Sequence, residues 1–418
     1  MVEEAPGPLG EYRARAWEVF EGLPYPNTRD EPWRRTDIRS LDGSFTLPST
    51  RYEPTPVPKA YLAPLVGDHP ASQAVWTPAG VQVDLQEEPL QKGVLFTDLK
   101  TAARDYPEIV SDVLGKIVRP EDGKFAALTA ALSRNGVFVY VPKGVHLDLP
   151  LQSVTWVAGA GLAHFSQLVI WVDDGASLTY VHETSSPEDS GEALYSGIVE
   201  IRVGAGAQLQ FVELQSLGKQ VWNFTHERAR VDSHGELDWV FSAIGSKLTK
   251  NFSDLDLVGP GASGRMSGLY FADGHQHLDH DTQQNHLAPH TTSDLLYKGA
   301  LKGNSRSVWQ GMIYVAPGAQ QVDGYQANRN LILSSGARAD SIPGLEILAD
   351  DVRCTHGATV GKIDPDQIFY LRTRGIPTEK AERLIVEGFF SPIVERIPFD
   401  SVRARFQKAI LKKLMTKV

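Results

Sequence analysis

From Val137 onward the chain repeats one short phrase, a strand of alternating apolar and polar residues followed by a turn that contains glycine. VFVYVPKGVHL, LVIWVDDGASLTYVHE, GIVEIRVGAGAQLQFVELQ and RARVDSHGELDWVFSAIG are four copies of it. The turn glycines stand at Gly175, Gly206, Gly235 and Gly261, spaced by 31, 29 and 26 residues, and recur at Gly318 and Gly336. Helical periodicity is almost absent over roughly two hundred residues. One such unit cannot bury its own apolar face, whereas stacked coils can, and a repeat of this length marks a solenoid. The expected fold is therefore mainly β, a right-handed parallel β-helix over residues 137–362. A β-sandwich or cupin barrel also needs many short strands with glycine turns. The monotonous turn rhythm favours the β-helix.

Helical patterns flank this core, giving an expected N-terminal helical region over 1–136 and a C-terminal helical domain over 363–418. EYRARAWEVFEGL sets Trp17, Phe20 and Leu23 on one helical face. Five prolines between Pro48 and Pro64 predict an irregular strap. TDLKTAARDYPEIVSDVLGKIV reads as helix with Thr97 or Asp98 as its cap, and KFAALTAALSRNG as a second one closed by Asn135-Gly136. After Lys362, DPDQIFYLRTRGI packs Ile368, Phe369 and Leu371 and stops at Gly375; PTEKAERLIVEGFF ends at Gly388. The final helix carries Val402, Phe406, Ala409 or Ile410, and Leu414 along one stripe.

A net charge of −10 argues against nucleic-acid binding, which needs clustered positive charge. The exception is Arg403 to Lys417, with six basic residues and no acidic one. It reads as a solvated face, a membrane-surface helix or a partner-docking helix, the first being the default. A single cysteine forbids an internal disulfide. The acidic start MVEEAPGPLG lacks the apolar core of a signal peptide, and no apolar run reaches membrane-spanning length. A cytoplasmic protein without a membrane segment is expected.

Two places carry metal-binding chemistry. DGHQHLDHDTQQNHLAPHTTSD holds His275, His277, His280, His286 and His290 among Asp273, Asp279 and Asp281. With His275 and His277 taken to share a strand face, it suggests a metal-dependent enzyme, although polar ladder and turn residues along a solenoid edge are the simpler reading. The other place is Cys354 and His356 in DDVRCTHGATVGKID, read as alternating, each toward a different face of a strand. Thiolate and imidazole suit iron, zinc and iron–sulfur clusters, yet a free cysteine is more often a buried small hydrophobe. GAGAQ at 204–208 lacks the lysine and the helix of a phosphate-binding loop, and neither a GxSxG elbow nor a CxxC pair occurs. A β-helix carbohydrate-active protein is a rival by fold analogy alone.

DGYQANRNLILS, LEILADDVRCTHGATVGKID and DQIFYLRTRGI, with GLPYPNTRDEPWRRTDI, HTTSDLLYKGAL and SVWQGMIYV, resemble the SufB/SufD family of iron–sulfur cluster assembly proteins over nearly the whole chain. The resemblance is closest to the SufD branch. The position of the SufB core cysteine is Asn328 here, and the flanks of His356 are Thr355 and Gly357 rather than glutamates. It implies a non-enzymatic scaffold subunit with no catalytic residue and no cofactor held stably by the isolated chain. Iron or an iron–sulfur cluster would be shared with a SufB-like partner through His356 and Cys354. It further implies pairing with that paralogue through the β-helix, docking of a SufC-like ABC-type ATPase on residues 364–418, and homodimerisation of the isolated chain as an open alternative.

Overall fold

Each coil of this chain lays one strand in one sheet and the next strand in a facing sheet, so alternate residues of both meet in a shared interior. The computed structural model describes residues 5–41, 43–49, 55–67, 69, 72–188 and 191–415. Among these the strands are, in chain order, β1 (Ser72–Thr77), β2 (Gly80–Asp84), β3 (Leu95–Asp98), β4 (Val137–Val141), β5 (Leu151–Trp156), β6 (Ala163–Val172), β7 (Ser177–Ser185), β8 (Ala193–Val203), β9 (Gln208–Ser216) and β10 (Val221–Val231). They continue as β11 (Glu236–Ala243), β12 (Leu248–Leu257), β13 (Ser263–Ala272), β14 (His277–His286), β15 (Thr292–Leu301), β16 (Arg306–Val315), β17 (Val322–Ile332), β18 (Arg338–Ile347) and β19 (Val352–Lys362). From β4 on, even-numbered strands pair in parallel in one sheet and odd-numbered strands in the other, giving a parallel β-solenoid of about 8 turns.

The drifting glycine spacing is a real property of the coils. The in-register column Ala163, Leu194, Trp222, Leu248, His277, Arg306, Arg338 advances by 26 to 32 residues per coil. At one corner a ladder of left-handed residues holds the coils together: Gly175, Gly206, His234, Gly261, His290 and Gln321 all have φ between 55° and 72°. Each donates its backbone N–H to the next coil, as Gly175 does to Ala205 O at 2.8 Å and His290 to Gln320 O at 2.9 Å. Gly235 is one residue past this rung, which His234 fills, and Gly336 lies at the opposite corner.

Helices cover both outer faces. On the odd-numbered sheet, Val181, Val212, Leu214, Val240, Leu269 and Phe271 pack against Val386, Phe390, Ile393, Val402, Phe406 and Ile410 of helices Thr378–Val394 and Asp400–Met415. The stripe expected on the last helix is the one it buries. On the other sheet, helix Lys124–Leu132 and Trp33 pack over β6, β8, β10 and β12, with Phe125 stacked on Phe224 at 3.9 Å. No helix among the described residues is long and apolar enough to cross a membrane.

Several local expectations are corrected. The N-terminal region also supplies strands: β1 joins the odd-numbered sheet beside β5, and β3 the even-numbered one beside β4. The helix expected after Asp98 is two, Leu99–Asp105 and Pro107–Ser111, because a residue preceding proline avoids the helical region, and Tyr106 sits at φ −135°, ψ 52°. Asp98, rather than Thr97, caps the first through Thr101 N at 3.1 Å. Gly136 has no left-handed φ; a Cβ there would stand 2.5 Å from Gln167 O. Gly388 lies inside its helix, which runs to Val394. Helix Pro365–Thr373 stops as expected at Gly375, φ 81°, and leans on helix Thr378–Val394 with Ile368 and Leu371 half-buried, but Phe369 stays exposed and none of its side chains is fully buried. The basic final helix is only in part a solvated face: Lys408 and Lys412 are exposed, but Arg405 pairs with Glu183 and buried Lys413 with Asp273. Lys417, like Pro54 of the proline strap, lies outside the described residues.

Candidate functional site

The last coil is where the stacking stops. β19 pairs with β17 alone and β18 with β16 alone, so each offers a second edge that no described strand occupies. Leu345, Ile347, Leu348 and Val360 are exposed there. Residues in register in a parallel sheet point the same way, so the interior can be followed column by column to this end. One column runs Tyr180, Phe211, Trp239, Met266, Leu295, Gln326, His356. It is apolar through Leu295 and turns polar in its last two members. Gln326 is fully buried and donates Nε2 to Gly344 O at 2.8 Å. His356, with no coil beyond it, is exposed.

The neighbouring column ends Gly264, Ser293, Gly324, Cys354. Cys354 and His356 are two residues apart in one regular strand and therefore share a side, against the expectation that they alternate. Cys354 is half-buried against Ile313, Val315, Ala319 and Val322. Burial, partly opposed by the Gly324 backbone, pushes its thiol up from the ordinary value, so it is a protonated thiol rather than a ready thiolate. A Cβ at Gly324 would stand 3.2 Å from Cys354 Sγ and 3.3 Å from His286 Nε2. The missing side chain leaves a small space between thiol and imidazole. His286 is held by Thr291 Oγ1 at 2.7 Å and Ser293 Oγ at 2.8 Å, and burial drives its ring down to about 4, so it is neutral.

Asn328 is a core residue. It is fully buried, donates Nδ2 to Tyr270 OH at 3.1 Å and accepts from Asn330 at 2.6 Å.

The histidine-rich stretch is dispersed by the coil. His275 is exposed in the turn before β14, so it cannot share a strand face with His277, the first residue of that strand. His277 points outward to Thr36 Oγ1 at 2.8 Å. His280 points inward among Phe241, Tyr270 and Tyr297. His286 is interior, and His290 is a corner residue. No group of three or more His, Cys, Asp or Glu among the described residues is arranged to hold a metal ion.

Sequence reasoning missed what His277 does. Thr36 also bonds Asp279, and Lys250, fully buried, pairs with Asp279 at 3.0 Å and Asp281 at 2.8 Å while donating to Pro32 O at 2.6 Å. This cluster fastens the segment around Trp33 to the outer face of β12 and β14. Its only signal in the sequence is outward parity: residues 277, 279 and 281 alternate.

Comparison with known proteins gives a consistent result. The description "SUF system FeS cluster assembly, SufBD core domain" matches residues 155–389, and "SufBD protein N-terminal region" matches residues 1–153. An iron-sulfur cluster assembly SufBD family protein of Staphylococcus epidermidis is 29% identical over 413 residues, 96% of this chain and 88% of the relative. One from Staphylococcus haemolyticus is 32% identical over 317 residues, 76% of this chain and 68% of the relative.

Proposed function

We propose, because this chain belongs to the SufBD family of iron–sulfur cluster assembly proteins, that it is a non-enzymatic scaffold subunit whose bare last coil pairs with a SufB-like paralogue. The observation that carries this reading is the pair of unoccupied edges of β18 and β19, ten and eleven residues long, at the end of an otherwise covered solenoid. An open edge of that length is a template for another strand. Pairing there sets His356 and Cys354 at the seam, where ligands from the paralogue complete a shell for iron or a nascent cluster. The cluster is cargo in this scheme, and the isolated chain holds none of it.

Docking of a SufC-like ATPase falls on the C-terminal helices. Helix Pro365–Thr373 suits the contact, with Phe369 66% and Tyr370 57% exposed directly after β19. Nucleotide-driven closure of two ATPase subunits then pulls on the helix next to the seam and changes its geometry. The work takes place in the cytoplasm, and the chain without its paralogue pairs through the same edges with itself.

Co-expression with a SufB-like chain and its ATPase tests this. His356→Ala is expected to lower cluster formation on the complex by at least about tenfold without dissociating it, as loss of a metal-shell residue does. Cys354→Ser should do less. Full cluster formation by the His356→Ala complex sinks the ligand role; recovery of the three chains separately sinks the scaffold.

A further inference from the structure

Midway along the solenoid two carboxyls meet in the interior. Glu213 points inward from β9, on the side of Leu209 and Phe211, and Glu227 points inward from β10, on the side of Ala229 and Val231. They are 5% and 2% exposed. Glu227 is the charged neighbour acting on Glu213, the two side chains interact directly, and neither forms an ion pair among the described residues. One oxygen of each, Glu213 Oε2 and Glu227 Oε1, has no hydrogen-bond partner among the described residues.

The surrounding elements supply no compensating charge. His182 of β7 and His280 of β14 are held neutral by burial, their rings driven down to about 4 and about 3. Tyr195 of β8 and Tyr297 of β15 feel both carboxyls and are pushed up, so they keep their protons. Trp239 of β11 faces Glu213, while Thr225, Asn251 and Ser253 face Glu227.

Hydrogen-bond counting at Ser253 points the same way. Its Oγ lies 3.1 Å from Glu227 Oε2 and 2.8 Å from Asn251 Oδ1, and Asn251 is oriented by its own Nδ2 bond to Thr225 Oγ1 at 2.7 Å. A hydroxyl has one proton to give. If Ser253 donates to Asn251, the contact with Glu227 needs its proton from the carboxyl.

We propose that Glu213 and Glu227 form a buried proton-binding site that holds at least one proton in the folded protein at neutral pH. This stands apart from the scaffold reading and from the seam. Two ionised carboxylates in contact within a low-dielectric interior repel, and a proton between them turns that repulsion into a donor–acceptor pair. Burial first, then the neighbouring Glu227, raises the pKa of Glu213 well above the ordinary carboxyl range; burial also raises that of Glu227, where the hydrogen bond with Glu213 works the other way.

The test compares the full chain with Glu213→Gln/Glu227→Gln. The folded pair keeps a proton that the unfolded glutamates lose, so stability from this site is complete below the unfolded value of about 4.3 and falls as pH rises toward neutrality. Denaturant unfolding of wild type is expected to become easier, relative to the double variant, by about tenfold in the unfolding constant per pH unit between about pH 5 and 7. Parallel curves for the two proteins overturn the proposal. Infrared spectra of native wild type at neutral pH supply a second readout: a protonated carboxyl stretch, shifted in deuterium oxide and weakened in either single glutamine variant. Glu200 and Asp281, each pushed up to about 7 by burial, add bands of their own, so the difference spectrum carries the assignment. A difference spectrum with no acid band overturns the site even if the double variant fails to fold.

Discussion

The first and last coils of this solenoid are finished in opposite ways. At the start each parallel sheet closes on a short antiparallel strand: β2 has five residues and pairs with β1, while β3 has four and pairs with β4. Reversing direction and shortening the strand both blunt an edge. At the finish, β18 and β19 keep full length and parallel direction, and their outer edges carry apolar side chains. The walls between are covered, one by the C-terminal helices and the other by Trp33 and helix Lys124–Leu132. One chain thus shows both how a stack is ended and how it is left ready for continuation.

The largest effect is expected on the covered wall. Lys413 Nζ reaches Asp273 Oδ1 at 2.7 Å and Phe271 O at 2.6 Å in the groove between the final helix and β13. Lys413→Ala removes one partner of a buried pair and should cost about 3 kcal/mol in denaturant unfolding. Lys219, which meets the same Asp273 from a half-exposed position, should cost under about 1 kcal/mol when replaced by alanine. Equal costs would mean that the helix is held on the wall by packing alone.

Next comes the bare edge. If the proposed pairing with a SufB-like paralogue uses this edge, Val360→Glu together with Leu345→Glu should weaken that association by about 2 kcal/mol or more, measured by calorimetric titration, and leave the melting temperature nearly unchanged. Gln82→Lys on the closed end should change neither quantity. Loss of association in that control would erase the contrast between the ends.

A smaller and pH-dependent effect belongs to the interior. Burial holds His280 down at about 3, against about 6.5 when unfolded. The unfolded chain therefore binds the extra proton between these values, and stability is lost as pH falls through that window. His280→Phe should remove about 2 kcal/mol of the loss seen between neutrality and about pH 5. An unchanged acid limb would show that another group sets it.

The smallest effect concerns the corners, which are the same along the stack. His234 and His290 occupy left-handed rungs where glycine stands in other coils. Replacing either by glycine should stabilise the protein by about 0.5–1 kcal/mol. Destabilisation would mean that the imidazoles do more than turn the chain.

What could be seen in the sequence follows from the same contrast. Period-two alternation with a left-handed turn at every corner is a local signal, so the solenoid from Val137 was legible, and so were the helical flanks. β1 and β3 were not, because short strands amid prolines show too few alternations to register. Cys354 and His356 point from the sequence to the last coil, but their common side follows from pleat parity, which a spacing of two fixes, not alternation. The histidine-rich stretch misled for a related reason. A turn separates His275 from His277, and parity sends His277 out and His280 in, so closeness in sequence became distance in space. The Thr36 and Lys250 cluster joins residues more than two hundred positions apart, which no short window contains.

The unfinished edges of β18 and β19 also set terms for how the protein is made. A chain that leaves the ribosome with two full-length strands open has a brief interval in which any other open strand is an acceptable neighbour, including that of an identical chain. Synthesis in step with the intended neighbour shortens that interval, and overproduction of one chain alone lengthens it. Under the proposed pairing, the geometry of the last coil thus reaches back to stoichiometry, because each copy made without a partner leaves two strand edges open.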